Sequence, residues 1–491
     1  MPIDFHAIAP ELVLAGTALL VLVVDLFVER PKVVASWLSI AGTVVAGITL
    51  ASLVGGGTRS TFGGSFVVDN YALLFKGLFL GSLLLVLLMS QRYINAGTAY
   101  QGEFYFLVLS SFVGMLLMPS SRDLLMLFLS LEIVSATGFI AAGFRKGDAR
   151  GNEGALKFLL IGVLSTAVML FGMSLVYGFT GSLQLGPIAE RLARLGDEPA
   201  AVMSVFLVIT GFAFKVSAAP FHFWAPDTYE GSPVPVAAYL SVASKAAGFA
   251  GLLQVTFVAF PSYARYWAPA FAVLAAFTML LGNVIALAQT NMVRLLAYSS
   301  VAQAGYMLVP FAVGSSADPA VREEAFQAVL IYLLIYAFTN LGAFAVVTLV
   351  SQRQPSNLIA DYAGLARRAP ALGVAMTLFL FSLAGIPPAA GWYAKFVVFK
   401  SAINGDTLTL QLLVVFMAVM TVVALFYYAG VARSLWLGAP PEGAPEPAAP
   451  QPVSRTLGTA IVLSTAGVLI LGVLPNLLVQ YAPGSTLVAG P

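Results

Sequence analysis

The chain is divided into apolar stretches, each about as long as one crossing of a membrane. A transmembrane helix needs about 20 mostly apolar residues, and about 14 such stretches can be counted. They cover residues 8–27, 34–54, 70–90, 103–119, 122–143, 154–178, 200–221, 234–258, 267–288, 293–313, 325–350, 371–403, 408–436 and 456–474. The pattern predicts an all-α polytopic membrane protein, because a helix of this length satisfies its own backbone hydrogen bonds in lipid.

Composition supports this class and excludes others. Only 9% of the 491 residues are charged and 59% are hydrophobic, whereas a soluble domain has about 25% charged residues. A formal charge of +2 gives no basic surface for nucleic acid. The chain has no Cys and two His, so we expect no metal site, no iron–sulfur cluster and no cofactor bound by this chain.

The distribution of basic residues predicts the orientation. An even number of spans places both termini on one side. The connections after the odd-numbered spans carry the larger share of Arg and Lys, among them Arg145, Lys146 and Arg150. Because basic connections face the cytoplasm, both termini are expected on the non-cytoplasmic side.

Four ionisable residues lie well inside predicted spans: Glu132 in span 5, Lys215 in span 7, Lys245 in span 8 and Lys395 in span 12. Each costs about 2.5–3.5 kcal/mol at the centre of a membrane helix, so such groups face protein or water and commonly mark an ion path. The alternative is a structural ion pair, but one carboxylate cannot neutralise three amines. Lys also changes its protonation state more readily than Arg. Lys76 and Lys157 lie near span starts, where a long side chain can reach the interface.

Two spans contain helix-breaking residues. Span 7 includes Pro220 and Pro226, and span 12 includes Gly385, Pro387 and Pro388. Pro removes a backbone donor and clashes with the preceding turn, so both helices are predicted to be discontinuous. A kink without functional meaning is the alternative, yet both breaks lie within a few residues of a buried Lys.

The broken span is fourth in spans 4–8 and fourth in spans 9–13. Five is an odd number, so the second group is inverted relative to the first, and inverted repeats with matching broken helices are typical of transporters. The sequence therefore predicts three N-terminal helices, two inverted five-helix repeats, a Pro/Ala-rich loop and a last helix with a tail. The corresponding ranges are 1–100, 101–260, 261–437, 438–455 and 456–491. Residues 183–199 are predicted to form a surface amphipathic helix.

Small polar residues also recur at mid-depth, and singly each favours a helix-packing contact. Together they favour a hydrated line between the lysines. They are Ser135, Thr137, Ser217, Ser241, Ser244, Asn283, Gln289, Tyr298, Ser299, Ser300, Gln303, Tyr306, Thr339, Asn340 and Ser382.

Three segments carry a family resemblance: FKVSAAPFHFWAPDTYEGSPVPVAAYLSVASKAAGF, RLLAYSSVAQAGYML and AGIPPAAGWYAKFVVF. They resemble the antiporter-like membrane subunits of respiratory complex I, the proton-translocating NADH-quinone oxidoreductase. Within that family the chain is most similar to the subunit N group, because Lys395 follows GIPP where the subunit M group usually has Glu.

The resemblance implies roles by position. Glu132 resembles the acid that pairs with the Lys of span 7, here Lys215. Lys245 resembles the central proton carrier and Lys395 the terminal carrier, while Lys157 resembles a modulating Lys on span 6.

The remaining positions are implied to be modulating. His222 fits a position in the span 7 loop, and Tyr298 and Gln303 lie in the AYSSVAQAGY segment. Relatives often have His where this chain has Gln303. Because Gln cannot carry a proton near pH 7, Gln303 is expected to order water.

The resemblance further implies a multi-pass subunit of the bacterial plasma membrane. NADH, FMN, iron–sulfur clusters and quinone would be bound by partner subunits. Neighbouring antiporter-like and small membrane subunits, together with the lipid bilayer, would surround this chain. Three alternatives remain: a subunit of a multisubunit cation/proton antiporter, a stand-alone transporter of an organic solute, and a passive scaffold in the complex.

Overall fold

The computed structural model of the chain describes residues 3–27, 33–95, 101–352, 357–439 and 453–479. Most of the predicted Pro/Ala-rich loop at 438–455, and the tail beyond residue 479, lie outside the described residues.

The N-terminal half of the described chain is built from eleven helices, counting the separate pieces of interrupted spans. They are α1 (Ala9–Phe27), α2 (Val33–Ala51), α3 (Asn70–Asn95), α4 (Gln101–Leu117), α5 (Leu124–Ala142), α6 (Ala149–Thr180), α7 (Leu185–Leu195), α8 (Pro199–Lys215), α9 (Trp224–Gly231), α10 (Val234–Tyr239) and α11 (Lys245–Gln254).

The C-terminal half continues in the same way. Its helices are α12 (Ala264–Ala286), α13 (Met292–Ala312), α14 (Pro319–Ser351), α15 (Leu365–Arg368), α16 (Pro370–Ala384), α17 (Gly391–Asn404), α18 (Leu408–Leu437), α19 (Arg455–Val473) and α20 (Asn476–Val479).

The described residues contain 12 helices that are long and apolar enough to cross a membrane. Two shorter apolar helices, Pro199–Lys215 and Pro370–Ala384, are the first pieces of the predicted broken spans 7 and 12. With these two, the helices correspond one by one to the predicted spans, and the prediction of an all-α polytopic fold is confirmed.

Side-chain caps fix where several spans begin. The Asp123 carboxylate accepts a hydrogen bond from the backbone N–H of Met126 at 2.7 Å, and Asp148 accepts from the N–H of Arg150 at 3.0 Å. Asn291 caps α13 in the same way. Such residues satisfy backbone donors that the first helical turn leaves free, so each span starts at a defined depth.

Burial separates interior from peripheral spans. In an apolar stretch of 18 residues within each of Val234–Ala259, Met292–Ala312 and Pro319–Ser351, the share of residues buried in protein is 100%, 94% and 89% respectively. In the corresponding stretches of Ala9–Phe27 and Leu408–Leu437, the share is 28% in each. The first three spans therefore form the centre of the protein, and polar residues on them face protein rather than lipid.

Both predicted breaks are present. In span 7, residues 216–223 separate α8 from α9; in span 12, residues 385–390 separate α16 from α17. Each break contains a cis peptide bond, Ala219–Pro220 and Pro387–Pro388 respectively. Pro226 lies inside the first turn of α9, a position that tolerates proline, so it is not part of the break.

Two smaller elements complete the fold. A short antiparallel hairpin pairs Arg59–Thr61 with Phe66–Val68 between α2 and α3, and the sequence analysis did not predict it. The predicted amphipathic helix is present as α7, which buries Leu185, Ile188 and Leu192. Their spacing of three and four residues places them on one face of that helix.

Candidate functional site along the buried lysines

Lys215 is the last residue of α8, directly before the break. It is 1% exposed, and its Nζ donates a hydrogen bond to the Ser135 Oγ of α5 at 3.0 Å. Its aliphatic stem packs against Gly248 of α11, where an added Cβ would lie 3.0 Å from the Lys215 Cγ. The carbonyl end of a helix carries partial negative charge, so the position suits an ammonium group.

Glu132 does not form a salt bridge with Lys215. It lies three residues before Ser135 on α5, half-buried between the exposed Leu129 and Ile133. The two charges interact through space, while Glu132 Oε1 is buried with no hydrogen-bond partner among the described residues. The predicted pairing is therefore not a direct contact, because Ser135, one turn further along α5, occupies the position beside the amine.

Lys245 follows a π-helical segment, Leu240–Ser244, within the most deeply buried span. Such local widenings of a helix are frequent at functional sites. Nζ of Lys245 donates to the backbone carbonyl of Ser300 at 2.9 Å and to Ser300 Oγ at 2.8 Å. The amine is thus held by a single residue of α13, and both contacts are uncharged.

Lys395 lies on α17 just after the second break and is 5% exposed. Its Nζ donates to the carbonyl of Ala384, the last residue of α16, at 3.0 Å. The ring of Tyr306 is 4.7 Å away, within the range of a cation–π contact. The carbonyls at the end of a helix lack intrahelical partners, so the broken span supplies the acceptor for its own lysine.

Gln303 of α13 forms hydrogen bonds with residues of three other helices, α14, α16 and α18. Its Nε2 donates to the Leu383 carbonyl at 3.0 Å and to Tyr428 Oη at 3.3 Å, and its Oε1 accepts from Tyr332 Oη at 2.5 Å. Leu383 and Ala384 are successive residues, so Gln303 and Lys395 are bound by adjacent carbonyls of the same helix end.

Four buried tyrosines close to Ser300 or Gln303 were not predicted as site residues from the sequence. They are the tyrosines Tyr229, Tyr332, Tyr336 and Tyr428, all fully or almost fully buried. A signal was present in α14, where Tyr332, Tyr336 and Asn340 recur every four residues and so lie on one face of the helix. Asn340 on that face donates to Ser241 Oγ at 2.8 Å, within the π-helical segment Leu240–Ser244.

Lys157 does not belong to the set of buried lysines formed by Lys215, Lys245 and Lys395. Its side chain is 42% exposed and contacts Asp227 and Glu153, each at 2.6 Å. Arg294 of α13 joins the same group through Asp227 and Glu230, each at 2.7 Å. Burial alone would raise the pKa of the Asp227 carboxyl, but hydrogen bonds from Lys157 and Arg294 outweigh it and hold that pKa below its ordinary value.

The two remaining predicted residues lie in different settings. His222 is buried within the first break, and its Nδ1 has no hydrogen-bond partner among the described residues. Tyr298 is half-buried on α13, whereas the neighbouring Ser299 makes the contact with Tyr428 Oη at 2.5 Å. The structure therefore brings Gln303 into the polar cluster but leaves Tyr298 at its edge.

Lys76 is completely buried and does not reach the interface. Its Nζ lies 2.7 Å from Glu11 Oε1, with side-chain exposures of 0% and 5%. The expectation of an interfacial side chain is thus wrong for Lys76, because α1 places a buried acid beside its amine.

Comparison with known proteins agrees with this architecture. Residues 121–421 match the family described as NADH:quinone oxidoreductase/Mrp antiporter, transmembrane. The chain is 39% identical to NADH-quinone oxidoreductase subunit N of Trichlorobacter lovleyi, an alignment that covers 98% of this chain and 96% of that protein.

Solved structures show the same fold. A chain of respiratory complex I from Thermus thermophilus with bound aureothin is 32% identical, with a TM-score of 0.79 over 98% of this chain and 100% of the other. A chain of the Mrp complex from Dietzia sp. is 21% identical, with a TM-score of 0.80 over 99% and 97% of the two chains, a likeness of fold alone. The chain therefore belongs to the NADH:quinone oxidoreductase/Mrp antiporter transmembrane family, with the N subunits of NADH-quinone oxidoreductase as its relatives.

Proposed function

We propose that this chain is a proton-translocating membrane subunit of NADH-quinone oxidoreductase and that protons move along Lys215, Lys245 and Lys395. One observation carries the proposal. Three amines are buried in the membrane core, and each is held by uncharged oxygens rather than by a carboxylate among the described residues. A Lys without a paired acid can release its proton, whereas a salt-bridged Lys is held in the charged state.

The two broken helices support the same function. Lys215 ends α8 directly before the first break, and the amine of Lys395 donates to the last carbonyl of α16 at the second, so each break lies beside one buried lysine. Freed backbone groups at membrane depth are tolerated where they face protein or a water-filled cavity. This repetition favours the division into two inverted repeats at 101–260 and 261–437.

Glu132 is the residue through which a neighbouring subunit would act. It lies midway along α5, on the boundary between the buried and exposed faces of that helix. Its charge interacts with that of Lys215 through space. Such an interaction strengthens as the two charges approach and as water is excluded from between them. A charge brought beside Glu132 by a neighbouring antiporter-like or small membrane subunit would thus change how firmly Lys215 holds its proton.

The resemblance to complex I sets the cellular context. NADH, FMN, iron–sulfur clusters and quinone would be held by partner subunits, and this chain would contribute proton transfer alone. In the bacterial plasma membrane, the positive-inside rule places both termini on the non-cytoplasmic side and the Asp227–Arg294 cluster towards the cytoplasm.

The test is proton pumping by the assembled complex in vesicles after Lys245→Ala or Lys395→Ala. We expect either change to abolish pumping while the complex still assembles. Lys400→Ala is the matched control, because Lys400 lies on the same helix as Lys395 but is half-exposed and pairs with Glu324. Normal pumping by Lys245→Ala or Lys395→Ala in an intact complex would contradict the proposal.

The antiporter alternative is tested by the partners of the chain. The likeness to the Mrp complex extends to the fold only, whereas the subunit N relatives are about 40% identical over nearly the whole chain. Recovery of quinone-reductase subunits after purification in mild detergent supports the first assignment. Recovery of small antiporter subunits instead would favour the second.

A further inference from the structure

A small cavity with several polar groups in its wall adjoins the end of α16, whose Ala384 carbonyl accepts from Lys395. It has a volume of about 10 Å³, close to the minimum that accommodates one water molecule. Its polar lining comes from Gln303, Tyr332, Tyr336, Thr339 and Ser382. A buried site with this many polar neighbours suits an ordered water.

Tyr336 is the residue that joins the cavity to Lys245. It is 3% exposed and lines the cavity, and its hydroxyl faces Ser300. This approach to Ser300 falls short of a full hydrogen bond. A buried hydroxyl without a full hydrogen bond is costly, so a water in the cavity that Tyr336 lines would stabilise it.

The far side of the cavity leads to Lys395. Gly391 and Ala394 of α17 contribute to the lining, and Ala394 precedes Lys395 directly. Ser382 Oγ lies 3.0 Å from Thr339 Oγ1 and accepts from the Gly391 N–H at 3.0 Å. The cavity is thus bounded on one side by Tyr336, which approaches Ser300, and on the other by the helix that carries Lys395.

We propose that Tyr336, together with one water in this cavity, is the link that passes protons between Lys245 and Lys395. The inference rests on the proposed function and names the connection that it requires. An N–H bond of the Lys245 ammonium breaks as an O–H bond forms on Ser300 Oγ, and the Ser300 hydroxyl passes its own proton to Tyr336 Oη. The Tyr336 hydroxyl gives its own proton to the water, and the water passes one to the Lys395 amine. Each oxygen ends with the number of protons it began with.

Gln303 has a different part in this link. Its amide forms hydrogen bonds with Leu383, Tyr428 and Tyr332. These bonds hold the Gln303 side chain in one position in the cavity wall. Tyr332 already donates to Gln303, which leaves Tyr336 as the tyrosine of α14 whose hydroxyl is free to turn between Ser300 and the cavity.

The decisive variant is Tyr336→Phe in the complete complex reconstituted into vesicles. It removes one oxygen that makes no full hydrogen bond to protein, so assembly should be normal and thermal stability should change little. Proton pumping should fall by about tenfold, less than the loss of about a hundredfold or more typical of a positioned proton-transfer group, because water remains in the path. Tyr362→Phe is the matched control, since Tyr362 is also buried with an unpartnered hydroxyl but does not line the cavity.

A second variant tests the water without changing a polar group. Ala394→Val places two methyl groups at the cavity wall and should lower pumping to a similar degree in a complex that assembles normally. Normal pumping by either Tyr336→Phe or Ala394→Val would overturn the inference. If Lys245→Ala pumps normally as well, the proposed function fails. If Lys245→Ala abolishes pumping while Tyr336→Phe does not, only the link is wrong.

Discussion

The amine of Lys395 donates a hydrogen bond of 3.0 Å to the carbonyl of Ala384, a residue on the other side of the break in span 12. In a continuous helix, the Ala384 carbonyl would accept from a backbone N–H one turn further along. The break frees this carbonyl, and the lysine that follows the break uses it. The interruption of the helix and the burial of the amine are therefore parts of one arrangement.

Gly391 should not tolerate a side chain, because the break closes tightly around it. A Cβ at this position would lie 1.7 Å from the Ser382 carbonyl oxygen, which is backbone and cannot move aside. We expect Gly391→Ala to prevent assembly, measured as loss of the chain from the purified complex. Gly430→Ala is the control, since a Cβ there meets no atom within 4 Å; equal assembly of the two variants would refute the close approach.

Gln303 should be replaceable by His but not by Leu. His offers one donor and one acceptor, enough to keep contact with the Leu383 carbonyl and Tyr332. Leu removes all three hydrogen bonds of Gln303 and leaves the Tyr332 hydroxyl without its acceptor, at a cost of about 1–3 kcal/mol. Gln303→His should retain pumping, and Gln303→Leu should lower both pumping and thermal stability. Equal behaviour of the two variants would show that the hydrogen bonds of Gln303 are unimportant.

The buried ion pair of Lys76 and Glu11 should behave as a structural unit. Removing one partner leaves an uncompensated buried charge, which costs about 3–5 kcal/mol. Lys76→Met should therefore lower the thermal stability of the complex, and Lys76→Met combined with Glu11→Leu should restore much of it. The exposed pair Lys400–Glu324 is the comparison, because surface pairs contribute about 0–1 kcal/mol. A double variant no more stable than the single one would contradict this coupling.

Asp227 should anchor α9 to α6 and α13 through Lys157 and Arg294. Because these groups are partly exposed, each pair contributes less than about 1 kcal/mol, and Asp227→Asn should lower thermal stability modestly. The folded pKa of Asp227 lies below the ordinary value of 3.8. Its contribution is therefore complete above that pH and is lost only as pH falls through the lower folded value. Thermal melts between pH 5 and pH 8 should show a constant difference from the unaltered protein, and a difference that disappears within this range would contradict the assignment.

Much of the fold is determined locally and could be predicted. About 20 apolar residues in succession form a helix in lipid wherever they occur, so the spans follow from the sequence alone. The breaks also follow, because Pro removes a backbone donor whatever surrounds it. The hairpin at residues 59–68 was not predicted, since each strand has only three residues and its pairing depends on where α2 and α3 end.

That Lys215, Lys245 and Lys395 lie inside membrane-spanning segments follows from their positions within apolar stretches of the sequence. What each amine contacts depends on the packing of the helices: Ser135 in place of Glu132, Ser300 on another helix, and the Ala384 carbonyl across a break. The same holds for Lys76 and Glu11, and for Tyr336 beside its cavity. The physical reason is that depth follows from the hydropathy of one segment, whereas a contact depends on how several helices rotate and pack against one another.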